Sequence, residues 1–171
     1  VQGSETGSYV GWFVGYSKIS VDFEKCSFEG EVRGNDYVGG MAGYPSKTAH
    51  IKSSYVKADI TGRHYVGGIT GKILSEGVNI AFTYVQGKVE GIQYVGGFFG
   101  LLIASSGTLS VASSYVASQV VAEKCRGIVI GQLDLSEWDL PELLGGLVVY
   151  FNKDDSNYSG IYDIGCDEND N

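Results

Sequence analysis

The sequence predicts an all-β fold, a parallel β-solenoid forming a single domain over residues 1 to 171, and three observations predict it. First, a glycine-rich segment opened by Tyr-Val recurs as "SYVGWFVG" (8 to 15), "DYVGGMAG" (36 to 43), "HYVGGITG" (64 to 71) and "QYVGGFFG" (93 to 100). Its tyrosines, Tyr9, Tyr37, Tyr65 and Tyr94, are 28, 28 and 29 residues apart, and a degenerate fifth copy, "CRGIVIG", puts Cys125 in the tyrosine's place 31 residues on. Second, the blocks "KCSFEGEVRG" (25 to 34), "SSYVKADITG" (53 to 62), "FTYVQGKVEG" (82 to 91) and "SSYVASQVVA" (113 to 122) align without gaps. Third, their apolar positions stay apolar in every copy and alternate with a period of 2, the pattern of a half-buried strand.

The columns carry the argument. Phe28, Val56, Val85 and Val116 share one; Val32, Ile60, Val89 and Val120 another; Val21, Ala49, Val78 and Leu109 a third; Phe23, Ile51, Ile80 and Val111 a fourth. Positions between them drift among charged and polar residues. A column that resists this drift is one whose side chain meets its own counterpart one repeat away. Successive repeats then stack at roughly 4.8 Å, and about five coils of about three strands each make a rod on the order of 24 Å long. The glycine segment reads as a corner plus a strand. Phe13, Met41, Ile69, Phe98 and Val129 point inward, and glycine recurs in two flanking columns, 11/39/67/96/127 and 15/43/71/100/131. Such positions suit a corner with positive φ, or a place where two walls approach too closely for a Cβ.

Regular repeats are expected over residues 1 to 131 and an atypical C-terminal coil or cap over 132 to 171. Within it, "DLSEWDLPELLGG" (134 to 146) departs from the pattern. It reads as a capping or lateral insertion, since open solenoid ends expose strand edges. "GGLVVYFN" (145 to 152) offers a second reading, a degenerate sixth copy of the glycine strand. The chain starts at Val1 with neither an initiator Met nor a signal segment, and "VQG" at 1 to 3 echoes "VQG" at 85 to 87, so a segment of a longer protein with further repeats before it is expected.

Composition narrows the partners. Glycine, at 26 of 171 residues, is about twice the ordinary share of roughly 7%, while proline numbers 2 and apolar residues make up 43%, which fits a folded chain rather than a linker. The net charge of −8 disfavours nucleic acid, whose binders carry a basic stripe. No apolar run approaches the roughly 18 residues of a membrane span. Cys26, Cys125 and Cys166 lie far apart with no histidine at ligand spacing. They read as free thiols, with a Cys125 to Cys166 bridge as the alternative, and not as a metal site.

At "SSYVKADITGRHYVGGITG" (53 to 71) and "TYVQGKVEGIQYVGGFFG" (83 to 100) the chain resembles the GLUG-motif repeats. The resemblance covers about residues 1 to 131 and weakens where Cys125 and Arg126 replace Tyr-Val. It implies a right-handed parallel β-helix and a place in large surface proteins such as filamentous-haemagglutinin-like adhesins. It implies an extracellular, cell-surface setting and says little about ligand.

Chemistry is sparse. His50 and His64 occupy different columns, no HExxH is present, and Glu31, Asp59, Lys88 and Gln119 share a column but not a charge, which opposite-charge stacking on an exposed face explains. No enzyme activity and no cofactor are expected. The tail carries Asp154, Asp155, Asp163, Asp167, Glu168 and Asp170 against Lys153, six less one, but its oxygens match no calcium-loop spacing. Asn157 opens an Asn-Tyr-Ser sequon, a possible glycosylation site in a secreted eukaryotic chain. The suggestive feature is aromatic. Tyr55, Tyr84 and Tyr115 share one column, Tyr37, Tyr65 and Tyr94 another. Because valines that face inward follow the first set, those tyrosines should face out, as a ladder that grips a glycan or a partner protein or simply stacks to stiffen the rod. The expected function is a rigid stalk or binding surface. End-to-end self-association and a carbohydrate-active or glycan-binding β-helix are the alternatives.

Overall fold

The apolar columns become parallel ladders in the computed structural model, which describes residues 8–75, 77–104, 109–135, 147–149 and 164–166. The chain winds through four walls, and strands numbered in chain order recur in each. The first wall holds β1 (Ser8–Gly11), β5 (Asp36–Gly39), β9 (His64–Gly67), β13 (Gln93–Gly96) and β17 (Lys124–Gly127). The second holds β2 (Val14–Ser17), β6 (Ala42–Pro45), β10 (Thr70–Ser75), β14 (Phe99–Ala104), β18 (Ile130–Leu135) and β20 (Ile164–Cys166). The third holds β3 (Val21–Glu24), β7 (Ala49–Lys52), β11 (Val78–Ala81) and β15 (Leu109–Ala112). The fourth holds β4 (Ser27–Arg33), β8 (Tyr55–Thr61), β12 (Tyr84–Glu90), β16 (Ser114–Val121) and β19 (Leu147–Val149). Every pairing is parallel, and no helix occurs among the described residues.

The registers match the expected columns residue for residue. Phe28 lies on Val56, Val56 on Val85 and Val85 on Val116; Phe23 lies on Ile51, Ile51 on Ile80 and Ile80 on Val111. These side chains, with Val32, Ile60, Val89, Met41, Ile69 and Phe98, fill the lumen of the coil and are buried.

Three expectations are corrected. The coils number about four, not five: β1–β4 through β13–β16 are complete, and β17 and β18 begin another. Each coil has four strands, not three, because what reads as one glycine strand is two strands broken by a two-residue corner. At that corner Met41 N donates to Ile69 O (2.9 Å) and Ile69 N to Phe98 O (2.9 Å), so the ladder continues through the bend. Finally, "LVV" is not a copy of the glycine strand. As β19 it pairs with β16, placing Val148 on Tyr115 and Val149 on Val116. Of the expected insertion at 134–146, residues 134 and 135 belong to β18 and 136–146 lie outside the described residues.

The corner between the third and fourth walls is held by hydroxyls. Ser54, Thr83 and Ser114 are buried in one column above the half-buried Cys26. Cys26 N donates to Ser54 Oγ (3.1 Å) and Thr83 N to Ser114 Oγ (3.1 Å), each hydroxyl taking an N–H of the coil before it. The same hydroxyls donate to carbonyls within their own coil, Ser54 to Lys52 O (2.8 Å) and Ser114 to Ala112 O (2.9 Å). Ser114→Ala leaves a buried N–H without its acceptor and is expected to cost about 1–3 kcal/mol in urea unfolding. Thr70 is the opposite case. It is buried in the column of Ala42 and Phe99, and its Oγ1 has no hydrogen-bond partner. Thr70→Val keeps the shape and removes the orphan, so the urea midpoint should rise, by about 1 kcal/mol in stability.

Candidate functional site

The repeated tyrosines stand where the sequence suggested glycine would be needed. Positive φ falls on Tyr9 (67°), Tyr37 (52°), Tyr65 (57°), Tyr94 (60°) and Cys125 (54°), while no glycine of the two flanking columns has it. The glycines answer the other requirement, close approach. A Cβ on Gly43 would lie 2.6 Å from the carbonyl carbon of Tyr9, and Gly71, Gly100 and Gly131 lie in the same way against Tyr37, Tyr65 and Tyr94. The left-handed turn at each tyrosine pushes its backbone against the second wall of the next coil, and only glycine leaves room. Tyr and Gly therefore recur together. The left-handed residue costs about 1–2 kcal/mol, and stacking offsets it. Ring centroids are 5.0 Å apart for Tyr9–Tyr37, 4.9 Å for Tyr37–Tyr65 and 4.8 Å for Tyr65–Tyr94, with planes within 14° of parallel.

The second expected set, Tyr55, Tyr84 and Tyr115, forms a shorter ladder on the fourth wall. Centroids are 5.0 Å apart, with planes 7° and 2° from parallel. The rings are half-buried and stand outside the buried valines of the next column. Their stacking decides what they can offer. A pyranose packs on the face of an aromatic ring, and here the faces are turned onto one another, so a ladder presents ring edges and hydroxyls instead.

A third tyrosine pair escaped the sequence reading although its residues are 28 apart: Tyr16 and Tyr44 lie at 5.3 Å, and Tyr9 packs 5.3 Å from Tyr16 and 5.7 Å from Tyr44. In the next coil this column holds Lys72, whose Nζ lies 4.9 Å from the Tyr44 ring centroid and 5.6 Å from that of Tyr37. Burial, with the neighbouring tyrosines and Asp36 adding to it, raises the Tyr37 and Tyr65 hydroxyls above the ordinary 10.0; burial and the neighbouring tyrosines do the same for Tyr44. A raised folded-state value means the neutral phenol is favoured by folding. That stabilisation is complete below pH 10.0, the unfolded value, and is lost as pH rises through the folded one. Urea midpoints followed across alkaline pH should fall above pH 10.0, and less steeply in Tyr65→Phe.

Polar groups flank the short ladder. Tyr55 OH donates to Glu29 Oε1 (3.2 Å), Lys57 Nζ lies 3.5 Å from the same carboxylate, and Tyr84 first, then Glu29, raises the Lys57 ammonium above its usual range. Glu31, Asp59, Lys88 and Gln119 do share a column, but the ion pairs Glu31–Arg33 at 3.2 Å and Lys88–Glu90 at 2.8 Å run along the strands. Exposed pairs of this kind contribute at most about 1 kcal/mol each. Between these columns a shallow cleft of about 260 Å³ opens over Gly30, Ala58 and Gly87, with Lys57, Asp59 and Gln86 at its sides. Gly30 (φ 144°) and Gly87 (φ 115°) adopt backbone that a side chain would resist, which dents the sheet there. No sequence period marks the cleft, since Ala58 and Ser118 share its column.

Comparison of the chain with protein-family models, with curated proteins and with solved structures finds no match.

The two histidines are apart, as expected. His50 is exposed on β7, and His64 Nδ1 lies 2.8 Å from Asp36 Oδ1 on the neighbouring coil. No group of three or more His, Cys, Asp or Glu placed to hold a metal occurs among the described residues. Cys26 is a free thiol, as read, but Cys125 is disulfide-bonded, which favours the alternative over the free-thiol reading. The sequence has one further cysteine, Cys166, in β20. Asn157 and the acidic tail beyond Asn152, Cys166 apart, fall outside the described residues, except that β20 begins at Ile164.

Proposed function

We propose that this chain is a non-catalytic structural and adhesive segment of an extracellular or cell-surface protein, a rigid stalk that carries a binding flank. The observation behind it is the unbroken parallel ladder, hydrogen-bonded even through its corners and faced by stacked tyrosines, which is a construction suited to stiffness. The disulfide at Cys125 supports an oxidising compartment, and the resemblance of the repeats to GLUG motifs supports a surface protein. Incubation with a panel of polysaccharides tests the non-catalytic reading: release of unsaturated or reducing sugar ends overturns it.

A second reading, glycan binding, is favoured by the cleft. Lys57, Asp59 and Gln86 supply donors and acceptors for vicinal hydroxyls over a floor of backbone, and the Tyr84 hydroxyl edge lies in the same wall. A glycan array should give signals that fall in both Gln86→Ala and Tyr84→Ala. An array that stays dark for the wild-type chain removes this reading and leaves the stalk.

A further inference from the structure

We propose that the ladder of Tyr55, Tyr84 and Tyr115 is a site of one-electron oxidation, at which this chain becomes covalently cross-linked, tyrosine to tyrosine, to a second copy of itself. This does not depend on whether the cleft binds glycans.

The ladder stands in the body of the fourth wall. Tyr55, Tyr84 and Tyr115 lie on β8, β12 and β16, which are paired on both sides, with β4 beyond β8 and β19 beyond β16. Their rings are half-buried, faces on one another and edges toward water. A phenol gives up an electron readily where its proton can leave at the same moment, and for that a base must lie within hydrogen-bond reach. Tyr55 has that base. Its OH donates to Glu29 Oε1 at 3.2 Å, and Lys57 Nζ, 3.5 Å from the same oxygen, holds the carboxylate in place. Glu29 is exposed, so a proton that it accepts passes on to water. The long ladder is a poorer donor of electrons, because burial raises the Tyr37 and Tyr65 hydroxyls and so holds their protons more tightly.

Oxidation of Tyr55 breaks its O–H bond. An external one-electron acceptor, a peroxidase intermediate or persulfate by class, takes the electron; the proton goes to Glu29, and a neutral phenoxyl radical remains. Rings 5.0 Å apart and within 7° of parallel exchange electrons readily. A radical formed at Tyr84 or Tyr115 therefore draws an electron from Tyr55, regains its proton from water and leaves the radical on Tyr55. Two such radicals join through ring carbons ortho to their oxygens, forming one C–C bond. Each ortho hydrogen then leaves as a proton while the oxygen on its ring takes one up, which restores both phenols. In sum, two phenols lose two electrons and two protons.

The stacking decides the partner. The new bond needs two ring edges to meet, and rings stacked face to face within one ladder cannot offer edges to each other. The second edge must come from another molecule. A second copy carries the same row of edges at the same spacing, so one ladder laid along another brings several edges together at once.

Illumination of the 171-residue chain with tris(bipyridyl)ruthenium and persulfate, followed by denaturing electrophoresis and mass spectrometry of the linked peptides, tests this. Covalent dimers are expected, with Tyr55 in the largest share of the links. Glu29→Gln keeps the shape and the hydrogen-bond acceptor but removes the base. Links through Tyr55 should then fall severalfold, while circular dichroism stays that of wild type. Tyr84→Phe keeps the stack without a phenol to carry the radical, so links should shift from Tyr55 to Tyr115. Links spread over the tyrosines in proportion to their exposure, a pattern unchanged in Glu29→Gln, or a chain that forms no covalent dimer would each overturn the proposal.

Discussion

Gly67→Ala is expected to cost about 3 kcal/mol of folding stability, the upper end for forced overpacking. A Cβ there would press on the Thr70 carbonyl oxygen and come within 2.7 Å of Phe98 O and 2.8 Å of Gly100 N. All three are backbone atoms of the ladder, so no rotamer change relieves them. Gly91→Ala is the matched comparison. Its Cβ would press on valine methyls, Val95 Cγ2 at 2.8 Å and Val66 Cγ2 at 2.9 Å, with the Arg63 carbonyl oxygen at an ordinary 3.4 Å, and the same column already holds Ala122 in the fourth coil. That substitution should cost about 1 kcal/mol or less. Urea unfolding of both variants measures the difference, and equal costs would mean that glycine is present for some reason other than room.

Ile80→Ala is expected to cost about 2–5 kcal/mol. Ile80 is fully buried at mid-rod, with Ile51 on one side of it in the column and Val111 on the other. The packing it loses cannot be recovered by collapse, because the hydrogen-bonded ladders above and below hold the coils at fixed spacing. In a stacked repeat each coil is stabilised mainly by its neighbours, so the deficit falls on two interfaces together. Urea midpoint and slope should show it: a reduced slope along with the lowered midpoint would mean that the rod had begun to unfold in separate parts.

The columns could be read from the sequence because, in an in-register solenoid, each inward side chain is selected against its own counterpart. Phe23, Ile51, Ile80 and Val111 are recognisable without coordinates for that reason. The strand count was misread because a two-residue corner between Gly39 and Ala42 keeps apolar residues at nearly strand-like intervals. The tyrosine corners were illegible for a different reason. Local preference puts glycine, not tyrosine, in left-handed backbone, yet Cys125 and the column Lys25, Ser53, Phe82 and Ser113 adopt it as well, so the corner of the coil sets the conformation at Tyr37 or Tyr65 and the residue type does not announce it. "LVV" was assigned by the glycine pair before it, whereas its pairing follows its valines, which repeat Tyr115-Val116. The cleft between Gly30 and Gly87 had no signature, because one of its columns changes residue type in every coil.

The near-constant coil length has a mechanical consequence. A rod pulled from one end in an optical trap sheds its coils one at a time, each shortening the folded part by about 4.8 Å. Each also releases 28 to 31 residues of chain, about 95–105 Å when stretched. Extension would therefore advance in even steps, each about twenty times the rod it consumes, so a tethered molecule yields under load while the coils not yet reached keep their shape.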